Sequence, residues 1–387
     1  MTNFDSILAE ILPGLVQLRR ELHAHPEIRF QEQWTSDRIS QFLTAAGIPH
    51  TRGHARGTGI VATLAGASAT TVVLRADIDA LEIGERTGMP YASQIAGRMH
   101  ACGHDGHAAC LCGAALALAR IAEHGPLPNT VKCVFQPGEE LGAGGRRIVE
   151  EGLIDGASAA FALHAWPGLP VGRFGVKCGP IMASADWFTI KITGRGCHGA
   201  DPAAGIDPVV VAAQIVIALQ TIVSREIDPQ NAAVVTVGKI EAGAANNVIP
   251  ETAVLEGSYR ALDTGVRNHV TEAIQRISTS IAAAHRATAD VVFGDDYYIP
   301  LVNDPTMTDF ARKTIVEMLG PDAVVEIPRP AMASEDFAFY LEKAPGSFIV
   351  FGMGDAKPLH SPYFNFNDDS IPHAIKVLVA LATRFRR

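Results

Sequence analysis

Apolar residues recur at helical spacing over residues 4–23 and again over 35–46, where Gly47 is a stop signal. Short apolar runs at 59–64 and 71–75 read as strands. A small-residue helix over 106–122 ends before the turn Gly125-Pro126. It is followed by a strand (130–135), a helix (144–151) and a strand (157–163). Strands alternating with helices predict an α/β layer built on a largely parallel sheet.

The pattern changes after Gly179-Pro180. Strand (187–193), helix (208–226), two strands (232–240, 253–259), helix (266–286) and strand (289–293) make two strand–helix–strand units. Units of this size predict a four-stranded, ferredoxin-like α+β module. The alternating style then resumes, with helices at 305–319, 334–341 and 371–385 and a strand at 347–351. The simplest organisation is an α/β domain, 1–182 and 294–387, interrupted by a smaller domain, 183–293.

Composition narrows the function. The 387 residues are 48% hydrophobic and carry a formal charge of −9, which disfavours nucleic acid as a partner. No apolar run reads as long enough to span a bilayer, so no membrane partner is expected. Residues 1–10 do not read as a secretion leader, and the six cysteines read as reduced thiols, so the expected location is cytoplasmic.

Candidate chemistry clusters behind strands. The run Met99-His100-Ala101-Cys102-Gly103-His104-Asp105-Gly106-His107 opens into the small-residue helix. Arg75-Ala76-Asp77-Ile78-Asp79, Gln136-Pro137-Gly138-Glu139-Glu140, His164 and His360 each follow a hydrophobic strand. In an open α/β sheet, ligands bind beyond the carboxyl ends of strands, so these clusters are expected at one rim.

Cys102, His104, Glu140, His164 and His360 supply more ligands than one four-coordinate catalytic ion can use. Five suit two metals about 3.5–4 Å apart, with a shared ligand and a bridging water. The thiolate favours Zn²⁺, while Mn²⁺, Co²⁺ and Ni²⁺ remain open. Cys102, near a helix N-terminus, is expected as a thiolate and as the shared ligand. Asp77, Asp79 and Asp105 are expected to orient a metal-binding imidazole. Adjacent glutamates point different ways, so Glu140 is assigned to metal and Glu139 to the base that activates the water.

These residues resemble the hippurate hydrolase and N-acyl-L-amino-acid amidohydrolase family, dinuclear metallopeptidases related to aminoacylases and glutamate carboxypeptidases. The likeness starts at Arg19-Arg20-Glu21-Leu22-His23 and runs through the Cys102 and Glu139 motifs. It continues in Gly196-Cys197-His198-Gly199-Ala200, Asn246-Asn247-Val248-Ile249-Pro250 and Ser334-Glu335-Asp336-Phe337. The resemblance implies a phosphorylase/hydrolase-like α/β catalytic domain interrupted by a lid that also dimerises. It implies the same five metal ligands, and Glu139 as general base and acid. It further implies His198 as an oxyanion donor reaching a neighbouring subunit, and Asn247 and Arg260 as contacts to a substrate carboxylate.

The implied reaction is cleavage of N-acyl-L-amino acids, hippurate-like or related, to a carboxylic acid and a free amino acid. Alternatives are a specialised N-acetyl-amino-acid deacetylase or a dipeptidase with the same site. From other classes come a thiol hydrolase with Cys102 as nucleophile and a non-catalytic metal-binding protein.

Overall fold

The computed structural model describes residues 4–386. The chain divides into two units: Met1–Ile181, Val302–Arg329 and Asp336–Arg387 form one, and Met182–Leu301 and Pro330–Glu335 the other.

The first unit is built on an eight-stranded sheet. Its strand order is His50–His54, Gly59–Leu64, Thr130–Gln136, Thr71–Asp77, Ala159–Trp166, Gly346–Gly352, Phe174–Val176, Val324–Glu326. The four central strands, 130–136, 71–77, 159–166 and 346–352, are parallel. They are near-continuous apolar runs, as burial on both faces requires; every residue of Gly346–Gly352 is buried. Three pairings are antiparallel, so the sheet is mixed rather than largely parallel. The edge strand His50–His54 escapes sequence reading because its residues, HTRGH, have no buried face to encode.

His104–Ala122 packs against Phe4–Ala24, Ile371–Arg384 and the sheet. Its buried residues are mostly alanine, glycine and cysteine, which let neighbouring helices approach closely. Phe4–Ala24 presents Ile7, Ile11, Leu15, Leu18 and Leu22 to the same core. Since the central strands are parallel, their carboxyl ends, and the residues that follow, share one edge.

The second unit is an antiparallel sheet ordered Ala233–Ala242, Thr252–Ala261, Asp186–Thr193, Thr288–Phe293. Pro208–Thr221 and Thr264–Ala284 pack on it. In chain order this is strand–helix–strand–strand–helix–strand, the ferredoxin-like arrangement the sequence predicts. Along Asp186–Thr193 buried residues alternate with more exposed ones, as a strand with one face on a core must.

Several expectations need correcting. The second unit extends beyond 293, because Tyr298 and Ala185 exchange backbone hydrogen bonds of 2.9 and 3.0 Å and Gly294 N donates to Trp187 O at 3.0 Å. It also recruits 330–335 through Ala183 N donating to Ala333 O at 2.8 Å. The helix expected over 334–341 is confined to Ala338–Leu341. Among the described residues one helical segment, Pro208–Glu226, is long and apolar enough by length and composition to span a bilayer, with a mean hydropathy of 1.6. It instead buries Val211, Ala212, Ile215, Leu219 and Ile222 in the core of its own unit.

Candidate metal centre and active site

The site of the first unit is assembled by the strand ends and the start of one helix. Gly103, with φ 91, supplies the left-handed turn between Cys102 and His104. His104 opens the helix His104–Ala122, and its Nδ1 lies 2.9 Å from the Asp79 carbonyl and 3.2 Å from Asp79 Oδ1. That fixes the tautomer and directs Nε2 inward, where it is buried without a hydrogen-bond partner.

His164 lies within the strand Ala159–Trp166, opposite Val350, rather than after it. Its Nδ1 donates to Ala165 O at 2.9 Å, leaving the Nε2 lone pair 3.5 Å from Cys102 Sγ. His360 sits on left-handed backbone (φ 62), tied by its N–H to Ala101 O at 2.8 Å. Its Nε2 is 3.1 Å from Glu140 Oε1, an ion-pair distance without hydrogen-bond alignment.

Two ligand groups overlap. The side chains of Cys102, Glu140 and His360 offer donor atoms within 4.8 Å of one another, and so do those of His104, Glu139 and Glu140. Glu140 belongs to both, while Cys102 adds the contact to His164. The five residues expected to bind metal are thus linked into one cluster of adjoining donors, with Glu139, buried, among them.

Two expected orienting residues behave differently. Asp77 accepts from His107 Nδ1 at 2.6 Å and from Arg75 at 2.6 Å, and lies 3.7 Å from His104 Nε2. His107 spends its other nitrogen accepting from Ala165 N at 2.8 Å, so it braces the site with no lone pair left for metal. Asp105 does not orient any of the five: it pairs with His23 Nδ1 at 2.8 Å. The orienting task falls to Asp79, which also accepts from Glu140 N at 2.8 Å.

Sequence reasoning missed Glu32. It accepts from Gly138 N at 2.9 Å and Thr58 Oγ1 at 2.8 Å, anchoring the turn that carries both glutamates. Burial, with Asp79 nearby, pushes its pKa up to about 8. A single acidic residue ahead of a helix reads as an ordinary helix start, so the sequence carries no signal for this role.

The electrostatics call for positive charge. Burial alone would lower the His104 pKa, yet Asp77, Asp79 and Glu140 outweigh it and hold it up to about 10. Burial, then the nearby His107, keeps His164 well below its ordinary value and therefore neutral. Burial and the carboxylates of Glu140 and Glu139 push the Cys102 thiol well above its ordinary value. The thiolate expected from the helix N-terminus is therefore not favoured by the protein's own charges. Neutral imidazole lone pairs, an unpartnered His104 Nε2 and a thiol beside excess carboxylate all fit divalent cations, which invert this balance. The same charges oppose a free nucleophilic thiolate, which needs a lowered pKa.

The remaining candidates belong to the second unit. His198 is exposed and pairs with Val248, while Gly199 N donates to Asn247 O at 2.7 Å. Arg260 is half-buried, with Nη1 donating to Met332 O at 3.0 Å. His198 and Asn247 are thus brought together by one short pairing, and Arg260 lies on the strand Thr252–Ala261.

An α/β unit with histidine, cysteine and glutamate donors at its strand ends, interrupted by a ferredoxin-like unit, defines a metallohydrolase class. The chain belongs to Peptidase family M20/M25/M40, whose pattern matches residues 73–384. It is 42% identical over 382 residues to the N-acetyl-L-cysteine deacetylase of Bacillus subtilis, covering 97% of this chain and 89% of that protein. It is 38% identical to the IAA-amino acid hydrolase ILR1-like 4 of Arabidopsis thaliana, covering 96% of this chain and 85% of that protein. The crystal structure of the Bacillus subtilis YxeP protein, described as a dinuclear metal binding peptidase, superposes with a TM-score of 0.84 at 35% identity, covering 97% and 98%. The protein is therefore an enzyme, a hydrolase of amide bonds.

Proposed function

We propose that the protein is a metal-dependent amidohydrolase cleaving N-acyl-L-amino acids to a carboxylic acid and a free amino acid. The observation that carries this reading is the cluster of adjoining donors that links Cys102, His104, Glu140, His164 and His360, with Glu139 among them. These five side chains would hold two divalent ions, Mn²⁺ or Zn²⁺ first among them. When bound, such ions polarise the amide carbonyl and acidify the attacking water.

The chain's own groups do the rest. Glu139 takes the proton of the water as it attacks the carbonyl carbon, then delivers it to the amide nitrogen as the C–N bond breaks. His198 serves the developing oxyanion. Its Nδ1 accepts from Ala200 N at 3.0 Å, so the neutral ring carries its proton on Nε2, the donor an oxyanion requires. Asn247 and Arg260 bind the substrate carboxylate, for which the guanidinium fork is suited.

The second unit is also the surface for a second copy of the chain. Its outer strand, Ala233–Ala242, exposes Val234 and Ile240, and its first helix exposes Ile217 at 71%. An open strand edge with apolar side chains favours pairing. A homodimer is the expected assembly, with a small-molecule substrate, no nucleic acid and no membrane partner, in the cytoplasm.

Chelator treatment tests the core of the reading. Hydrolysis of an N-acyl amino acid is expected to vanish and to return with Mn²⁺ or Zn²⁺. Turnover that survives chelation would instead favour Cys102 as nucleophile.

A further inference from the structure

A groove opens in the first unit directly at Glu140. Its walls are Ile28, Leu81, Ile83 and Leu141, and it encloses about 200 Å³. Leu141 is unusual on two counts. It is 55% exposed, and its backbone is left-handed with φ 60, a conformation that branched side chains resist. Neither condition helps folding, and strain of this kind collects at functional sites.

The surroundings hold it there. Arg29 Nη1 donates to Leu141 O at 3.1 Å. A Cβ at Gly142 would stand 2.8 Å from the Phe30 ring, so only glycine lets the loop settle against it. The Arg56 guanidinium caps the same ring at 4.6 Å. The wall is thus fixed by its neighbours, with an apolar side chain kept at the surface beside the residue shared by both ligand groups.

We propose that this groove is the acyl subsite. It takes a neutral, apolar acyl group the size of a benzoyl ring or a chain of about six carbons in preference to acetyl; a dry cavity of about 150 Å³ with similar walls already holds benzene. This rests on the amidohydrolase reading. The amino-acid half is a poor occupant, because its carboxylate lies one bond from the α-carbon and would be carried to the groove's edge. There Glu82 repels it, and Nη1 of Arg29 is engaged by Leu141 O.

The test uses the Mn²⁺-loaded protein and two readouts. The first is calorimetric affinity for acetate, butanoate, hexanoate and benzoate. The second is kcat/KM for N-acylglycines bearing the same acyl groups and for N-acetyl derivatives of glycine, leucine and phenylalanine. Each methylene that enters the groove is expected to raise affinity and kcat/KM about two- to fourfold. Hexanoyl should therefore exceed acetyl by roughly 20- to 200-fold. In Leu141→Ala and Ile83→Trp the hexanoyl-to-acetyl ratio should fall at least about fivefold. Being a ratio within one protein, it is insensitive to any loss of folded enzyme.

Hexanoate and benzoate binding no tighter than acetate would overturn the proposal, whatever the turnover. A dependence that follows the amino-acid half instead would also overturn it. Chain-length-dependent binding without hydrolysis of any N-acyl amino acid would sustain the groove and sink the amidohydrolase reading.

Discussion

The two units carry their candidate residues in opposite ways. In the first, four of the five proposed ligands are held by a named neighbour: His104 by Asp79, His164 by Ala165, His360 by Ala101 and Glu140, through its turn, by Glu32. In the second, His198 and Asn247 are exposed on a short two-residue pairing, with local backbone contacts alone. A pocket built by buried partners is preorganised to bind an ion before substrate arrives. Residues on an exposed pairing acquire meaning only when something else meets them. On the proposed reading, the first unit supplies metal binding and proton transfer, and the second substrate contacts and assembly.

The largest break in that contrast should come from Glu139→Gln, with turnover falling about 10²–10⁴-fold while metal content stays that of the wild type. Elemental analysis alongside kinetics checks it, and retained activity would remove the base assignment. His198→Ala should lower kcat about 10²–10³-fold, also without touching metal content. Mixing it with Glu139→Gln subunits should recover part of the activity if His198 serves a neighbouring copy. No recovery would confine each site to its own chain.

Asp79→Ala sharpens the comparison differently. It removes the carboxylate contact to His104 Nδ1 and the acceptor of the Glu140 amide together, leaving the ring only the Asp79 backbone carbonyl, so metal affinity should drop about 10- to 100-fold. An unchanged metal-binding isotherm would show that Asp79 does not orient the ligands.

The sequence carried the two-unit organisation because period-2 and helical patterns encode buried faces, and both sheets have them. Cys102, His104, Glu139 and Glu140 stood out as candidates because each lies in a dense polar run at a strand or helix end. His164 was legible as a residue but not in its place: a histidine inside an otherwise apolar strand reads as a strand stop. Asp105 was misassigned because adjacency to His104 says nothing of direction along a helix, where neighbours point about 100° apart. Glu32 and the return of 330–335 to the second unit depend on contacts distant in sequence, which no local pattern encodes. His198, Asn247 and Arg260 came from resemblance alone.

The smallest effect separates architecture from catalysis. Burial alone lowers the His23 pKa, but Asp105 at 2.8 Å and Glu85 at 3.3 Å hold it up to about 9. The folded value exceeds the unfolded one of about 6.5, so the ion pair's stabilisation is full below that pH and is lost as pH rises through about 9. His23→Gln should thus cost on the order of 3 kcal/mol near pH 6 and converge with the wild type near pH 10, as read from denaturant melts. A difference independent of pH would remove the charged pair from the account.

The central claim is that the donor cluster of the first unit holds two ions. Its most direct test is calorimetric titration of the metal-free protein with Zn²⁺ or Mn²⁺, beside Cys102→Ala and Glu140→Ala. Two equivalents per chain in the wild type, with at least one lost in each variant, is the predicted result. A single equivalent in the wild type, or binding indifferent to both substitutions, would contradict it.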